Sequence, residues 1–298
     1  MMNAAGPPQG ARPLRGKQRE ALPRGGLTVP APAKVNLFLH VTGRRADGYH
    51  TIESLFALVD LADAITVGVR EDGAIVRMND VPGVPAYEDL AIRAARALQR
   101  AADVRAGASI AVDKRIPMGG GLGGGSSDAA SVLLALNRLW NLEWPRARLC
   151  GLGATLGADV PFFVGGENAI ARGIGEALTP VTLPTRWLVI ERPPVHVNTG
   201  AVFASPDLTR DTPSAKISVF SEGYGRNDLA PVTAARFPEV AAALARDPGV
   251  RMTGSGACVF VSFPTRRQAE EAMAARTRPG ETFLARTLTR HPLWSFAR

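Results

Sequence analysis

The stretch 117–130, Pro-Met-Gly-Gly-Gly-Leu-Gly-Gly-Gly-Ser-Ser-Asp-Ala-Ala, restricts what this chain can fold into more than any other segment. Six of the seven positions 119–125 are glycine, so the backbone there is nearly free of Cβ atoms and its amides can close around an anion. Ser126, Ser127 and Asp128 then open a run of helix-forming residues, 129–136. A glycine-rich turn feeding a helix N-terminus presents converging N–H groups at the positive end of the dipole, a phosphate site. A flexible linker is the plainer reading, but linkers lack an adjoining apolar helix.

Two common phosphate-binding patterns do not fit. A P-loop needs Gly-x-x-x-x-Gly-Lys-Ser/Thr, and the only Gly-Lys pair, Gly16-Lys17, is followed by Gln18. Gly119, Gly121 and Gly124 satisfy Gly-x-Gly-x-x-Gly, but so many glycines make that match nearly unavoidable. The ribose-binding acid expected about 20 residues later should end a strand. Glu143 instead follows a helical run and adjoins Trp144-Pro145.

The 298 residues, 46% hydrophobic and 21% charged, have the balance of a soluble globular protein with room for one or two cores. Cys150 and Cys258 are too few for a disulfide framework and fit a reducing cytoplasm. No stretch reaches the apolar length of a membrane span. Residues 1–26 carry Arg12, Arg15, Lys17, Arg19 and Arg24 against Glu20 alone, half of the net charge of +8. That segment is rich in proline and glycine without apolar periodicity, so a disordered basic tail is expected. The charge left on the folded part suits an acidic small-molecule substrate and is too slight to argue for nucleic acid. Neither a membrane nor a nucleic-acid partner is expected, and the sequence names no oligomeric state.

Alternation in 28–41 predicts a strand with Lys34, Asn36, Phe38 and His40 on one face and Val35, Leu37, Leu39 and Val41 on the other. Strands are also expected at 49–58, 65–69, 74–78, 109–113, 168–172, 187–191, 258–263 and 281–288. Helices are expected at 88–102, from the glycine loop to about 140, from Pro145 to about 156, and at 237–245 and 265–275. Residues 157–164 read as an irregular loop and 205–225 as a mobile one. Antiparallel strands mixed with helices indicate an α+β fold. A division near residue 172 is expected, between a 27–172 domain and a 173–298 domain.

Several side chains have two readings on residue type alone. Ser126 and Ser127 can touch phosphate or magnesium, or simply cap the helix. Lys34 and Asn36 can reach one cleft, or form an ion pair and a solvated amide. Tyr49 and His50 suit any strand start, Phe203 suits a core, and Lys114 suits a solvated strand end. A carboxylate at Asp128 favours the helix dipole but repels phosphate, so it should point away from a nucleotide.

Residues 117–127 resemble the nucleotide-binding motif of the GHMP kinases. Ala31-Pro32-Ala33-Lys34-Val35-Asn36-Leu37, Arg45-Ala46-Asp47-Gly48-Tyr49-His50, Leu156-Gly157-Ala158-Asp159-Val160-Pro161 and Thr253-Gly254-Ser255-Gly256-Ala257-Cys258 are similar, in the same order, to further motifs of one branch of that family. The resemblance implies a kinase that uses ATP with Mg2+ on a small cytidine diphosphate substrate, and a two-domain fold with the active site in the cleft between domains, the nucleotide on the first and the substrate side on the second. It implies that Pro117, Met118, Gly119, Gly120, Gly121, Leu122, Gly123, Gly124, Gly125, Ser126 and Ser127 hold the ATP phosphates. Asp159 would be the catalytic base and Lys34 its electrostatic partner. Tyr49 and His50 would hold the cytosine, with Phe203 a second aromatic over it. Asn36 and Thr199 would contact the substrate, Gly254 and Ser255 would fold beneath the phosphates, and Lys114 and Asp89 would approach the adenine. The family has members with Asn at the position of Asp89, and an ionised Asp can only accept hydrogen bonds. A sibling kinase for homoserine or mevalonate, and a non-catalytic sensor of the same fold, are the rival readings. Tyr49-His50 speaks against the first, and the joint presence of Lys34 and Asp159 against the second.

Overall fold

The computed structural model describes residues 26–214, 224–275 and 280–298. The expected disordered tail therefore lies, but for Gly26, outside the described residues, as does part of the mobile loop, 215–223.

The fold grows from one long antiparallel ribbon, β1 (Leu27–Arg44) and β2 (His50–Arg70). Two of the expected strands, 49–58 and 65–69, are a single strand, because the segment between them stays paired with β1. Register shifts at Pro32/Ala33, Asn36/Phe38 and Val41/Gly43 bend this ribbon. The middle shift leaves Leu37 unpaired and reverses the side-chain alternation. Val35 and Phe38 consequently enter the same core cluster, and the face expected to run from Lys34 to His40 is broken at Leu37.

After the turn at Gly73, β3 (Ile75–Arg77) pairs in parallel with β4 (Gly107–Asp113), the two joined by α1 (Leu90–Ala101). Then follow α2 (Gly124–Leu139), α3 (Arg146–Ala154), α4 (Val160–Gly165), β5 (Ala169–Arg172) and β6 (Ala177–Pro180). The sheet order is β3-β4-β2-β5-β6, with β1 on β2. Every residue of α2 from Ser127 to Asn137 is buried, as expected of a helix enclosed by its domain. Where an irregular loop was expected, α4 forms. Pro161 favours its first turn, the Val160–Val164 side chains are all buried, and left-handed Gly166 ends it.

The second layer comprises β7 (Trp187–Arg192), α5 (Thr199–Phe203), α6 (Ala230–Arg236), α7 (Pro238–Leu244), β8 (Arg251–Met252), β9 (Val259–Phe263), α8 (Arg266–Ala274) and β10 (Glu281–Arg286). Its four strands are antiparallel in the order β10-β7-β9-β8. This is an α+β fold with two sheets. The expected division at residue 172 falls between β5 and β6, which are paired strands of one sheet. Leu293 and Ala297, near the C-terminus, return to the core of the first sheet. A shared cluster containing Val35, Phe38, Leu122, Ile190 and Phe260 joins the two layers.

Candidate active site

The loop 117–125 closes over the N-terminus of α2 and is pinned from beneath by the turn after β8. A Cβ on Gly121 (φ +76°) would lie 2.3 Å from the Thr253 carbonyl oxygen, and one on Gly120 would lie 2.4 Å from Cys258 Sγ. Only glycine permits this approach. Thr253 Oγ1 donates to the Gly121 carbonyl (3.2 Å), and the Cys258 N–H donates to the Gly120 carbonyl (3.3 Å). The loop walls a cavity of about 450 Å³ with Val81, Val84, Leu90, Val112 and Lys114. Apolar walls with converging backbone amides suit a nucleotide.

Neither serine caps α2, since left-handed Gly123 occupies that position. Ser126 lines the cavity. Ser127 does not, contrary to the expected phosphate contact: it is wholly buried and its Oγ donates to the Pro32 carbonyl at 2.6 Å, tying α2 to β1.

Lys114 is not a solvated strand end. Its ammonium donates to Asp63 Oδ2 (2.5 Å) and Asp128 Oδ2 (2.7 Å), while Asp63 Oδ1 accepts the N–H groups of Arg115 and Ile116. Burial works against the charge on Lys114, but Asp128 and Asp63 outweigh it and raise its pKa. Burial also raises Asp128, with Asp63 adding to the effect and Lys114 opposing it. Asp128 thus turns to the cavity wall beside Lys114 rather than away from it. Asp89 differs from expectation as well. Its Oδ1 accepts from Ala91 N (2.9 Å) and caps α1, and its Oδ2 accepts from Arg77 Nη1 (3.2 Å), so both oxygens are engaged without adenine.

On the other side of the loop, Lys34 is buried and its Nζ lies 3.8 Å from Asp159 Oδ2. Burial lowers the Lys34 pKa, and Asp159 counters in part. A Cβ on Gly123 would meet Lys34 Cγ at 3.2 Å, so this lysine touches the phosphate loop itself. Asp159 precedes α4 without capping it and remains partly exposed. Asn36 was expected to contact substrate, but every polar atom of its amide is engaged. Oδ1 accepts from Lys34 Nζ (2.6 Å) and Gly254 N (3.0 Å), Nδ2 donates to Ser54 Oγ (2.8 Å), and the backbone N–H of Asn36 donates to Thr253 Oγ1 (3.0 Å).

Residues expected at the acceptor end come from distant parts of the chain. His50, at the start of β2, lies against Phe203 with ring centroids 5.2 Å apart. Burial, then Arg210 and Arg44, lower the His50 pKa. Thr199 Oγ1 shares a 2.7 Å hydrogen bond with Ser255 Oγ, and Tyr49 stands exposed at the hairpin tip. Gly254 packs on Gly121, placing that turn against the glycine loop. Among the described residues, no group of three or more His, Cys, Asp or Glu could hold a metal. Sequence reasoning missed Asp63 and Arg210, and it quoted Thr253 in a motif without a role. Asp63 is one of three acids in β2, with Glu53 and Asp60, so its residue type alone did not mark it.

A glycine cradle at a helix N-terminus, facing a paired lysine and carboxylate, is the geometry of a small-molecule phosphotransferase. Residues 89–167 match the GHMP kinases N terminal domain, and residues 214–282 match GHMP kinases C terminal. A relative from Thiobacillus denitrificans, 55% identical over 90% of this chain and 97% of its own, is named 4-diphosphocytidyl-2-C-methyl-D-erythritol kinase. A crystal structure of 4-(cytidine 5'-diphospho)-2C-methyl-D-erythritol kinase superposes with a TM-score of 0.76 at 37% identity, covering 88% of this chain and 99% of that one. The homoserine kinase of Cytophaga hutchinsonii shares the fold, with a TM-score of 0.65 at 16% identity over 93% of this chain and 98% of that one. The chain belongs to the GHMP kinase family, enzymes that phosphorylate small molecules from ATP. Within that family its high-identity relatives bear the 4-diphosphocytidyl-2-C-methyl-D-erythritol kinase name.

Proposed function

We propose that this enzyme transfers the γ-phosphoryl group of ATP to the 2-hydroxyl of 4-diphosphocytidyl-2-C-methyl-D-erythritol, giving the 2-phosphate and ADP, a step of non-mevalonate isoprenoid synthesis. The observation that carries the reading is the Lys34–Asp159 pair, 3.8 Å apart, set against the phosphate loop at Gly123. Asp159 takes the hydroxyl proton as the new P–O bond forms and the bond to the β-phosphate oxygen breaks. The Lys34 ammonium offsets the negative charge on the moving phosphoryl group, and the loop amides with the α2 dipole hold the nucleotide phosphates. Tyr49, His50 and Phe203 hold the cytosine, and Thr199 lies toward the methylerythritol end.

Ser126 offers a hydroxyl at the cavity wall, close to Gly157 at the foot of the Asp159 loop. One such oxygen fits Mg2+, which favours phosphate oxygens and water over an all-protein cage. When bound, the ion would neutralise phosphate charge and align the chain of phosphates.

The test is a coupled ADP assay across a panel of acceptors. ADP release is expected with the cytidine diphosphate substrate and not with homoserine or mevalonate. Comparable turnover of either small acceptor would overturn the assignment, and no ATP consumption with any acceptor would favour a sensor.

A further inference from the structure

We infer that Arg210 is a positioning residue: it locks His50 into one tautomer, and through it selects a pyrimidine whose ring nitrogen carries no proton. The inference rests on the proposed placement of cytosine at Tyr49 and His50.

Arg210 Nε lies 2.9 Å from His50 Nε2. A guanidinium only donates and keeps its proton at any ordinary pH, so His50 Nε2 must present its lone pair. An imidazole that accepts at Nε2 is neutral and carries its proton on Nδ1. The guanidinium is itself fixed. Nη1 donates to the Leu208 carbonyl (3.0 Å), and Nη2 donates to the carbonyls of Phe203 (3.1 Å) and Ser205 (2.6 Å). One side chain therefore braces the segment bearing the Phe203 ring and sets the donor pattern of the imidazole beside it. The charged groups acting on that imidazole are Arg210 and Arg44, both cations, which oppose its protonation.

The Nδ1–H of His50 has no hydrogen-bond partner among the described residues and is available to a ligand. Cytosine offers an unprotonated N3 to such a donor. Uracil carries N3–H there, so two donors would face each other and both would go unpaired. The Arg210–His50 pair thus reads cytidine against uridine without Arg210 touching the base.

The test uses the full chain with 15N-labelled histidine, in wild type, Arg210→Met and Arg210→Lys. Long-range 1H–15N spectra should show His50 protonated at Nδ1 in wild type and in Arg210→Lys, and redistributed toward the Nε2–H tautomer in Arg210→Met. Titration with cytidine and uridine 5′-diphosphates should show the cytidine preference falling about tenfold in Arg210→Met, the worth of one hydrogen bond, and largely retained in Arg210→Lys. With the cytidine diphosphate substrate the loss should appear in KM, with kcat nearly unchanged. An Nε2–H tautomer in wild type overturns the inference. So does equal weakening of both nucleotides in Arg210→Met, which would make Arg210 a brace of the 203–208 segment only. If wild type binds cytidine diphosphate but phosphorylates no cytidine ester, the phosphotransfer reading fails while the Arg210 inference stands.

Discussion

Oδ1 of Asn36 accepts a 2.6 Å hydrogen bond from the ammonium of Lys34, and the same oxygen accepts from Gly254 N at 3.0 Å. The amide thereby couples the lysine beside Asp159 to the turn that supports the phosphate loop. Asn36→Ala should leave a buried ammonium and an N–H without this acceptor. We expect a loss of about 1–3 kcal/mol in urea unfolding, together with a drop in kcat. A variant with lower substrate affinity but unchanged stability and kcat would restore Asn36 to the substrate-contacting role.

Asp159→Asn keeps the shape of the side chain and removes its basicity. The expected result is a fall in kcat of about 10²–10⁴-fold with ATP binding retained, read by ADP release and nucleotide titration. Full activity would remove Asp159 from the chemistry.

Burial lowers the pKa of Lys34 below the ordinary lysine value of about 10.4. In the window between the folded and unfolded values the unfolded chain binds the extra proton, so Lys34 contributes stability that rises with pH. Activity moves the other way, since it needs the ammonium. The alkaline limb of kcat/KM should therefore set in earlier than an ordinary lysine would give while the Lys34-dependent part of stability increases, measured as the difference from Lys34→Met. Parallel falls in both would contradict the lowered value.

Lys114→Met leaves Asp63 and Asp128 facing each other in the interior without their shared cation. Loss of one partner from a buried cluster costs about 3–5 kcal/mol. Thermal and urea unfolding should reveal that cost, and Lys114→Met with Asp128→Asn should recover part of it. A near-neutral Lys114→Met would mean that the cluster is solvated.

His291 is buried near Arg146; burial first, and then that guanidinium, hold its pKa down at about 3. Its Nδ1 accepts from Leu293 N at 3.0 Å, which requires the neutral ring. With the folded value depressed, the stabilising contribution is present above about pH 6.5 and is lost as pH falls toward 3. His291→Asn retains an acceptor and does not titrate. Wild type should lose about 2 kcal/mol relative to this variant between pH 7 and pH 5. An identical acid profile for both proteins would exclude His291 as the source.

The glycine loop was legible in the sequence because its conformation is local. Apart from Leu122, positions 119–125 need only the absence of Cβ atoms and a following helix, and both are written in consecutive residues. The family resemblance, read from short motifs such as Arg45–His50 and Leu156–Pro161, extended this to the kinase reading. The same locality limited what could be read. Ser127 and Asp128 stand beside Ser126 in the sequence, yet the first secures Pro32 and the second faces Lys114. Alternation failed at Leu37 because a bulge has no fixed residue signature, and 157–164 was read as a loop because glycine and proline masked a six-residue helix.

The sequence by itself determined the glycine turn ahead of a helix, the α+β class and the residue types able to move a phosphoryl group. Tertiary structure decided which of those side chains are free to act. Asn36 meets Gly254, Lys114 meets Asp63, and His50 meets Arg210 only after strand pairing brings together segments far apart in the chain. A buried polar atom must find a hydrogen-bond partner wherever the fold supplies one, so its role follows from its neighbours in space rather than in sequence.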